Sequence, residues 1–218
     1  MTNYILDVTS VSPLSKNKPR QAIVLCHGYG GDGKDISVLA INWQRFLPDA
    51  IFLCPNAPEA CADNPRGYQW FDLTSAKEEV ILERSLLAEE KLNTFLDQVF
   101  NNLQLEPSNL ALVGFSQGCM IAIQVGLKKK EKINCLIGYS GKVINQKHLS
   151  DNIKSKPKIL LMHGANDTIV PPTHLLEAKE YFDNHRIKIK TKLFKNCEHR
   201  IPVEGSSLGL AFLRKNFL

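Results

Sequence analysis

Short apolar runs recur along the chain at residues 21–26, 50–54, 110–114, 134–139, 158–163 and 188–194, and each reads as a strand. Between them the apolar positions return with helical spacing. The longest such stretch sets Leu86, Leu92, Leu96 and Val99 near one face over residues 83–103 and breaks before Pro107. A second runs over 172–184, with Pro171 and Pro172 fixing its start, and residues 201–217 suit a closing helix. The polar stretch 145–155 reads as a short helix or loop. The last strand differs from the others, because Lys188, Lys190 and Lys192 alternate with Ile187, Ile189, Thr191 and Leu193. That is the period of a strand with one wet face, and lysines there discourage pairing with a second sheet. Strands alternating with helices imply an α/β fold, a mostly parallel sheet with helices on both faces. No repeat, low-complexity tract or linker divides the chain, so residues 1–218 read as one domain.

In open sheets of this kind ligands sit at the carboxyl ends of the strands. Four chemically loaded loops fall there, after Cys26, Val113, Met162 and Phe194. The second is Gly114-Phe115-Ser116-Gln117-Gly118, with an apolar run before it and the helix-like stretch from Cys119 to Val125 after it. A serine on a tight strand-to-helix turn is a nucleophile elbow: the turn lifts its hydroxyl clear of the sheet, and small residues two positions to either side let the helix close on the strand.

Serine needs a base to take its proton and a carboxylate to hold that base. Asp167, in His163-Gly-Ala-Asn-Asp167, and His199, in Asn196-Cys-Glu-His199, both lie on strand-end loops. The chain order Ser116, Asp167, His199 is the one expected on this fold. Asp167 alone would equally serve as a loop or helix cap. The other histidines fit a base's role less well, and Glu198 sits too close in sequence to His199 to orient its ring.

Acyl transfer also needs donors aimed at the developing oxyanion. The backbone N–H of Gln117 is the first candidate; the N–H of Tyr29, in the loop Cys26-His-Gly-Tyr-Gly-Gly-Asp-Gly33, is the second. The same loop imitates a dinucleotide fingerprint through Gly28, Gly30 and Gly33, and imitates a phosphate-binding loop over residues 28–34. Against the first, Asp32, Lys34 and Asp35 make a polar exit and the next strand ends in Cys-Pro-Asn with no acid placed to hold a ribose; against the second, Asp35 stands where a magnesium-ligating Ser or Thr belongs and would repel phosphate.

Composition narrows the class without redirecting it. Net charge is +5, with Lys128, Lys129, Lys130 and Lys132 falling where the helix after the elbow should end and complement its dipole. No basic groove with interleaved aromatics points to nucleic acid. The start shows no secretory pattern, and no apolar run reaches the length of a membrane span. Six cysteines without a Cys-x-x-Cys pair read as reduced, buried thiols, so a cytoplasmic location is expected.

Together these motifs resemble the phospholipase/carboxylesterase family of α/β-hydrolases, which includes the acyl-protein thioesterases. The carriers are His27-Gly28-Tyr29-Gly30, residues 54–58 (Cys-Pro-Asn-Ala-Pro), Trp70-Phe71-Asp72, the elbow, His163-Gly-x-x-Asp167-x-x-Val-Pro171 and His199, and the resemblance runs from about residue 21 to the carboxyl end. It implies an α/β-hydrolase fold with a minimal lid and hydrolysis of carboxylic esters or thioesters through an acyl-serine intermediate. Ser116 would be nucleophile, His199 base then acid, Asp167 the orienting acid, and Tyr29 and Gln117 the oxyanion donors. No metal or organic cofactor is implied.

The loop 57–76 would wall the acyl site, with Trp70 and Phe71 as candidate substrate contacts, although such a pair is more often buried packing. The chain departs from the family's pattern at Asn196, where a glycine is usual, and at Cys119, where a smaller residue is usual. Asparagine tolerates a left-handed backbone. Cys119 would be inert if buried, or a point of attack for thiol reagents if not. The expected substrates are acylated small molecules, lipids or proteins, with transient membrane-surface contact and a homodimer left open. The alternatives are a weak or non-catalytic protein that binds a hydrophobic ligand or partner, and a dienelactone-hydrolase-like enzyme, which Ser116 disfavours because that activity commonly uses cysteine.

Overall fold

The computed structural model describes residues 4–75 and 77–218. Residues 1–3 and residue 76, the last of the loop expected to wall the acyl site, lie outside it. Strand β1 (Val8–Val11) leads to β2 (Gln21–Cys26), α1 (Gly33–Trp43) and β3 (Ala50–Pro55). A small hairpin, β4 (Glu59–Ala60) and β5 (Tyr68–Gln69), precedes the long helix α2 (Glu78–Leu103). There follow β6 (Leu110–Phe115), α3 (Gln117–Lys128), β7 (Cys135–Tyr139), α4 (Gln146–Asn152), β8 (Lys158–Gly164), α5 (Thr173–Asn184), β9 (Ile189–Phe194) and α6 (Val203–Phe217).

The strands form one seven-stranded sheet in the order β1-β3-β2-β6-β7-β8-β9. Every pairing is parallel except that of β1 with β3. Alternate side chains of each strand feed two cores. On one face Val24, Leu112, Leu136 and Leu161 meet α2, α3 and α5; on the other Ile23, Val113, Ile137 and Met162 meet α1 and α6. Strands covered on both faces need apolar residues at nearly every position, which is why the inner runs show no polar alternation. Strand β9 is an edge, but its exposed positions, Lys190, Thr191 and Leu193, fall on both faces and only Phe194 is buried, so it lacks the single wet face expected from its lysines.

The expected strands and helices are all present, with α2 beginning at Glu78 rather than at 83. Helix α1 and strands β1, β4 and β5 are additions. The lysines at the end of α3 do more than complement a dipole. Lys128 pairs with the buried Glu89 at 2.7 Å and Lys129 with Asp97 at 3.0 Å, tying α3 to α2. Among the described residues, no helix is long and apolar enough to cross a membrane.

Connectivity makes the site. From β2 the chain moves outward to β3, then returns to lay β6 on the other side of β2. The crevice opened by that reversal lies between the loop after β2 and the turn after β6. Ser116 and the glycine loop therefore face each other across it.

Candidate active site

Ser116 sits between β6 and α3 with φ 52° and ψ −117°, a backbone conformation few side-chain-bearing residues adopt. Its N–H is held by Tyr139 O at 2.8 Å, and its carbonyl accepts the first bonds of α3. Both flanking glycines are required by contact. A Cβ on Gly118 would overlap the carbonyl oxygens of Cys26 and His27, and one on Gly114 would overlap the backbone of Gly118 and Cys119. Gly28 is packed less tightly, since a Cβ there would lie 3.0 Å from the Phe115 ring and 3.3 Å from Ser116 Cβ.

The three residues expected to act together are in hydrogen-bond sequence. His199 Nε2 lies 3.0 Å from Ser116 Oγ, and His199 Nδ1 lies 2.7 Å from Asp167 Oδ2. The Phe115 ring, centred 4.9 Å from the imidazole, packs beside it. Asp167 makes contacts of both kinds open to it from sequence. Oδ1 accepts the N–H groups of Ile169 (3.0 Å) and Val170 (2.9 Å) and so caps its own loop, leaving Oδ2 for the histidine. Burial by itself would raise the Asp167 pKa; the bond from His199 and the N–H of Val170 and Ile169 outweigh it and hold the carboxyl below the ordinary carboxylate range.

Two histidines outside the expected set support these groups. His163, fully buried at the end of β8, donates from Nε2 to Val170 O at 2.8 Å and lies 3.3 Å from Asp167 Oδ2. Burial lowers its pKa, keeping it neutral. His27 Nε2 accepts the N–H of Ala57 at 2.9 Å, so the proton is on Nδ1 and is given to Gly28 O at 2.7 Å. Burial lowers its pKa as well. The family-like motifs contain both histidines, but only their contacts reveal one as a brace for Asp167 and the other as a post for the glycine loop.

The glycine loop is stitched to the hairpin that follows β3. Gly30 N donates to Tyr68 O at 2.9 Å, Tyr68 N to Gly31 O at 2.8 Å, and Asn64 Nδ2 to Gly30 O at 2.7 Å. Asp32 caps α1 by accepting from Asp35 N at 2.7 Å. Asp32, at the N-cap, and Asp35, in the first turn, thus both stand at the start of α1. Among the described residues, no group of three or more His, Cys, Asp or Glu side chains is arranged to hold a metal ion.

Gln117 contributes more than its backbone. Its side chain is buried, accepting from Trp70 N at 2.8 Å and donating to Phe71 O at 2.6 Å. Trp70 and Phe71, the candidate substrate contacts, are themselves completely buried, and Trp70 Nε1 donates to His27 O at 3.0 Å. They are packing beneath the site rather than surface within it. Asn196 also departs from expectation, because it is not among the residues with positive φ and the missing glycine therefore costs no strain. Cys119 is buried against Gly138 and Gly141, and burial pushes its thiol up to about 12, so it is inert.

A parallel sheet with its elbow serine, histidine and carboxylate at the switch point defines the chain as an α/β-hydrolase. The family model for Phospholipase/Carboxylesterase matches residues 10–217. The chain belongs to that family. A crystal structure of esterase PE8 superimposes with a TM-score of 0.92 at 34% identity, covering 97% of this chain and 99% of the other. Acyl-protein thioesterase 1 of Aspergillus fumigatus is 28% identical, over 91% of this chain and 88% of its own length. Esterase YpfH of Escherichia coli is 22% identical, over 92% and 85%. The protein is a hydrolase of carboxylic esters or thioesters.

Proposed function

We propose that Ser116 is the nucleophile, His199 the base and then the acid, and Asp167 the group that holds the imidazole. The observation that carries this reading is the continuous path Ser116 Oγ, His199 Nε2, His199 Nδ1, Asp167 Oδ2, at 3.0 and 2.7 Å, on a serine with positive φ. As Oγ bonds to the acyl carbon, His199 Nε2 takes its proton and the carbonyl oxygen becomes negative. The N–H groups of Tyr29 and Gln117 receive that charge. Nε2 then returns the proton to the departing alcohol or thiol as its bond to carbon breaks. Water repeats the sequence on the acyl-serine, releasing the acid.

Substrates are acylated small molecules, lipids or proteins, in keeping with the thioesterase and esterase names of the relatives. A reducing, cytoplasmic setting suits the six cysteines, all free and buried. The experiment is a panel of p-nitrophenyl esters and acyl thioesters of graded chain length. The native protein should turn over members of both series, and Ser116→Ala should lose at least about 10³-fold in kcat on each. Turnover unchanged in Ser116→Ala would overturn the assignment.

A further inference from the structure

Helix α1 follows β2 and helix α6 follows β9, so both start beyond the carboxyl end of the sheet, and both pack on the same face of it. Their facing surfaces carry matched stripes. Val38, Asn42 and Arg45 follow helical spacing along α1 and its continuation, while Val203, Ser207, Leu210 and Arg214 do so along α6. Glycines let α6 sink onto the floor between them. Tyr139 Oη donates to Gly205 O at 3.0 Å, a Cβ on Gly209 would lie 3.3 Å from the Trp43 ring, and Trp43 Nε1 donates to Ser206 Oγ at 3.0 Å.

What remains above that floor is a trough of about 650 Å³. It shares Val38, Leu39 and Ile201 with a second cavity, of about 340 Å³, that reaches Gly28, Tyr29 and Phe115 beside the serine. The walls are more apolar than surface helices need, with Val38 57% and Val203 86% exposed. The far end is cationic. Arg45 and Arg214 line it, and neither guanidinium has an ion-pair partner among the described residues. The end beside Tyr29 carries the Asp35 carboxylate instead.

We propose that this trough extends the active site and takes an acyl chain that ends in an anionic group, a reading that rests on the assignment of Ser116 above. Asp35 turns the anion away from the serine end, and the two arginines receive it at the other. From Ile36 to Arg45 the helix and its last turn rise about 14 Å. That spans a chain of on the order of ten carbons at C–C bonds of about 1.5 Å.

The test compares p-nitrophenyl acetate, p-nitrophenyl decanoate and the p-nitrophenyl half-ester of the ten-carbon dicarboxylic acid. The native enzyme should prefer the half-ester over the decanoate by about fivefold or more in kcat/KM, expressed in KM. The double variant Arg45→Gln, Arg214→Gln should lose that preference and keep its acetate activity. Ala211→Trp, which fills the trough from the exposed side of α6, should lower kcat/KM for both long esters about tenfold and spare acetate. Normal acetate turnover with no half-ester preference, or a preference that survives both variants, would overturn the trough alone. Loss of all acetate turnover in the native protein would overturn the reading of Ser116, and this one with it.

Discussion

Asp167 divides one carboxylate between its own loop and His199. Oδ1 is committed to two backbone N–H groups, and Oδ2 meets His199 Nδ1 with His163 Nε2 only 3.3 Å away. His163 should therefore act on the reaction through Asp167, as a positioning residue. Replacing it with leucine removes the N–H and should lower kcat by about tenfold with KM little changed, as expected for a group that orients the base. His163→Gln, whose amide nitrogen takes the place of Nε2, should restore most of the rate. If both variants fold and fall equally, the N–H contributes only packing. The pH profile gives a second check. As the proposed base, His199 would act only when neutral, while Asp167, held below the ordinary carboxylate range, would stay ionised throughout the acid fall in kcat/KM. The acid limb should have a slope of one, and a slope of two would place a second protonation in the mechanism.

At the scale of elements, the elbow and the loops around it form one hydrogen-bonded assembly. The Gln117 side chain satisfies the N–H of Trp70 and the C=O of Phe71 in a buried setting. Gln117→Ala leaves both unpaired and should cost about 2–4 kcal/mol, measured by urea unfolding. A loss below about 1 kcal/mol would mean that the loop finds other partners. The sequence made the elbow readable because strand, glycines and helix are local. The clamp was not readable, since a glutamine joined to a segment 46 and 47 residues away leaves no periodic signal. The same reason hid the role of Trp70 and Phe71, which sequence alone leaves open between pocket wall and core. Helix α1 went unannounced because the glycines and acids at its start resemble a phosphate loop, although Ile36, Leu39, Ala40 and Trp43 carry helical spacing and are buried. The inner strands were legible because burial on both faces leaves no polar positions to confuse them. The half-buried β1 and the two-residue strands β4 and β5 are too short to show a period.

For the whole molecule, burial ties stability to pH through two histidines. His27 and His163 both have lowered pKa values in the folded protein. The unfolded chain binds their protons from about pH 6.5 downward, ahead of the native state. Over that window the unfolded form carries more protons, so stability falls as pH falls, by up to about 1.4 kcal/mol per pH unit for each histidine. Glu89, whose carboxyl is raised by burial against the pull of Lys128, works in the opposite direction at lower pH. Urea midpoints should therefore drop between pH 7.5 and 5.5, and a flat or rising midpoint would contradict the buried neutral state of these rings.

The fold as a whole was legible in the order of its strands and helices, and the candidate site in four loops at one end of them. The placement of α1 against α6, and with it the trough, was not, because it depends on how two surfaces meet rather than on either pattern alone. The central claim is that Ser116 becomes covalently acylated. It is tested most directly by intact-protein mass spectrometry after treatment with a fluorophosphonate, followed by peptide mapping. One adduct per chain, located on Ser116 and absent from folded Ser116→Ala, is the predicted result. An adduct that persists in Ser116→Ala, or one mapped to another residue of the native protein, would contradict the account.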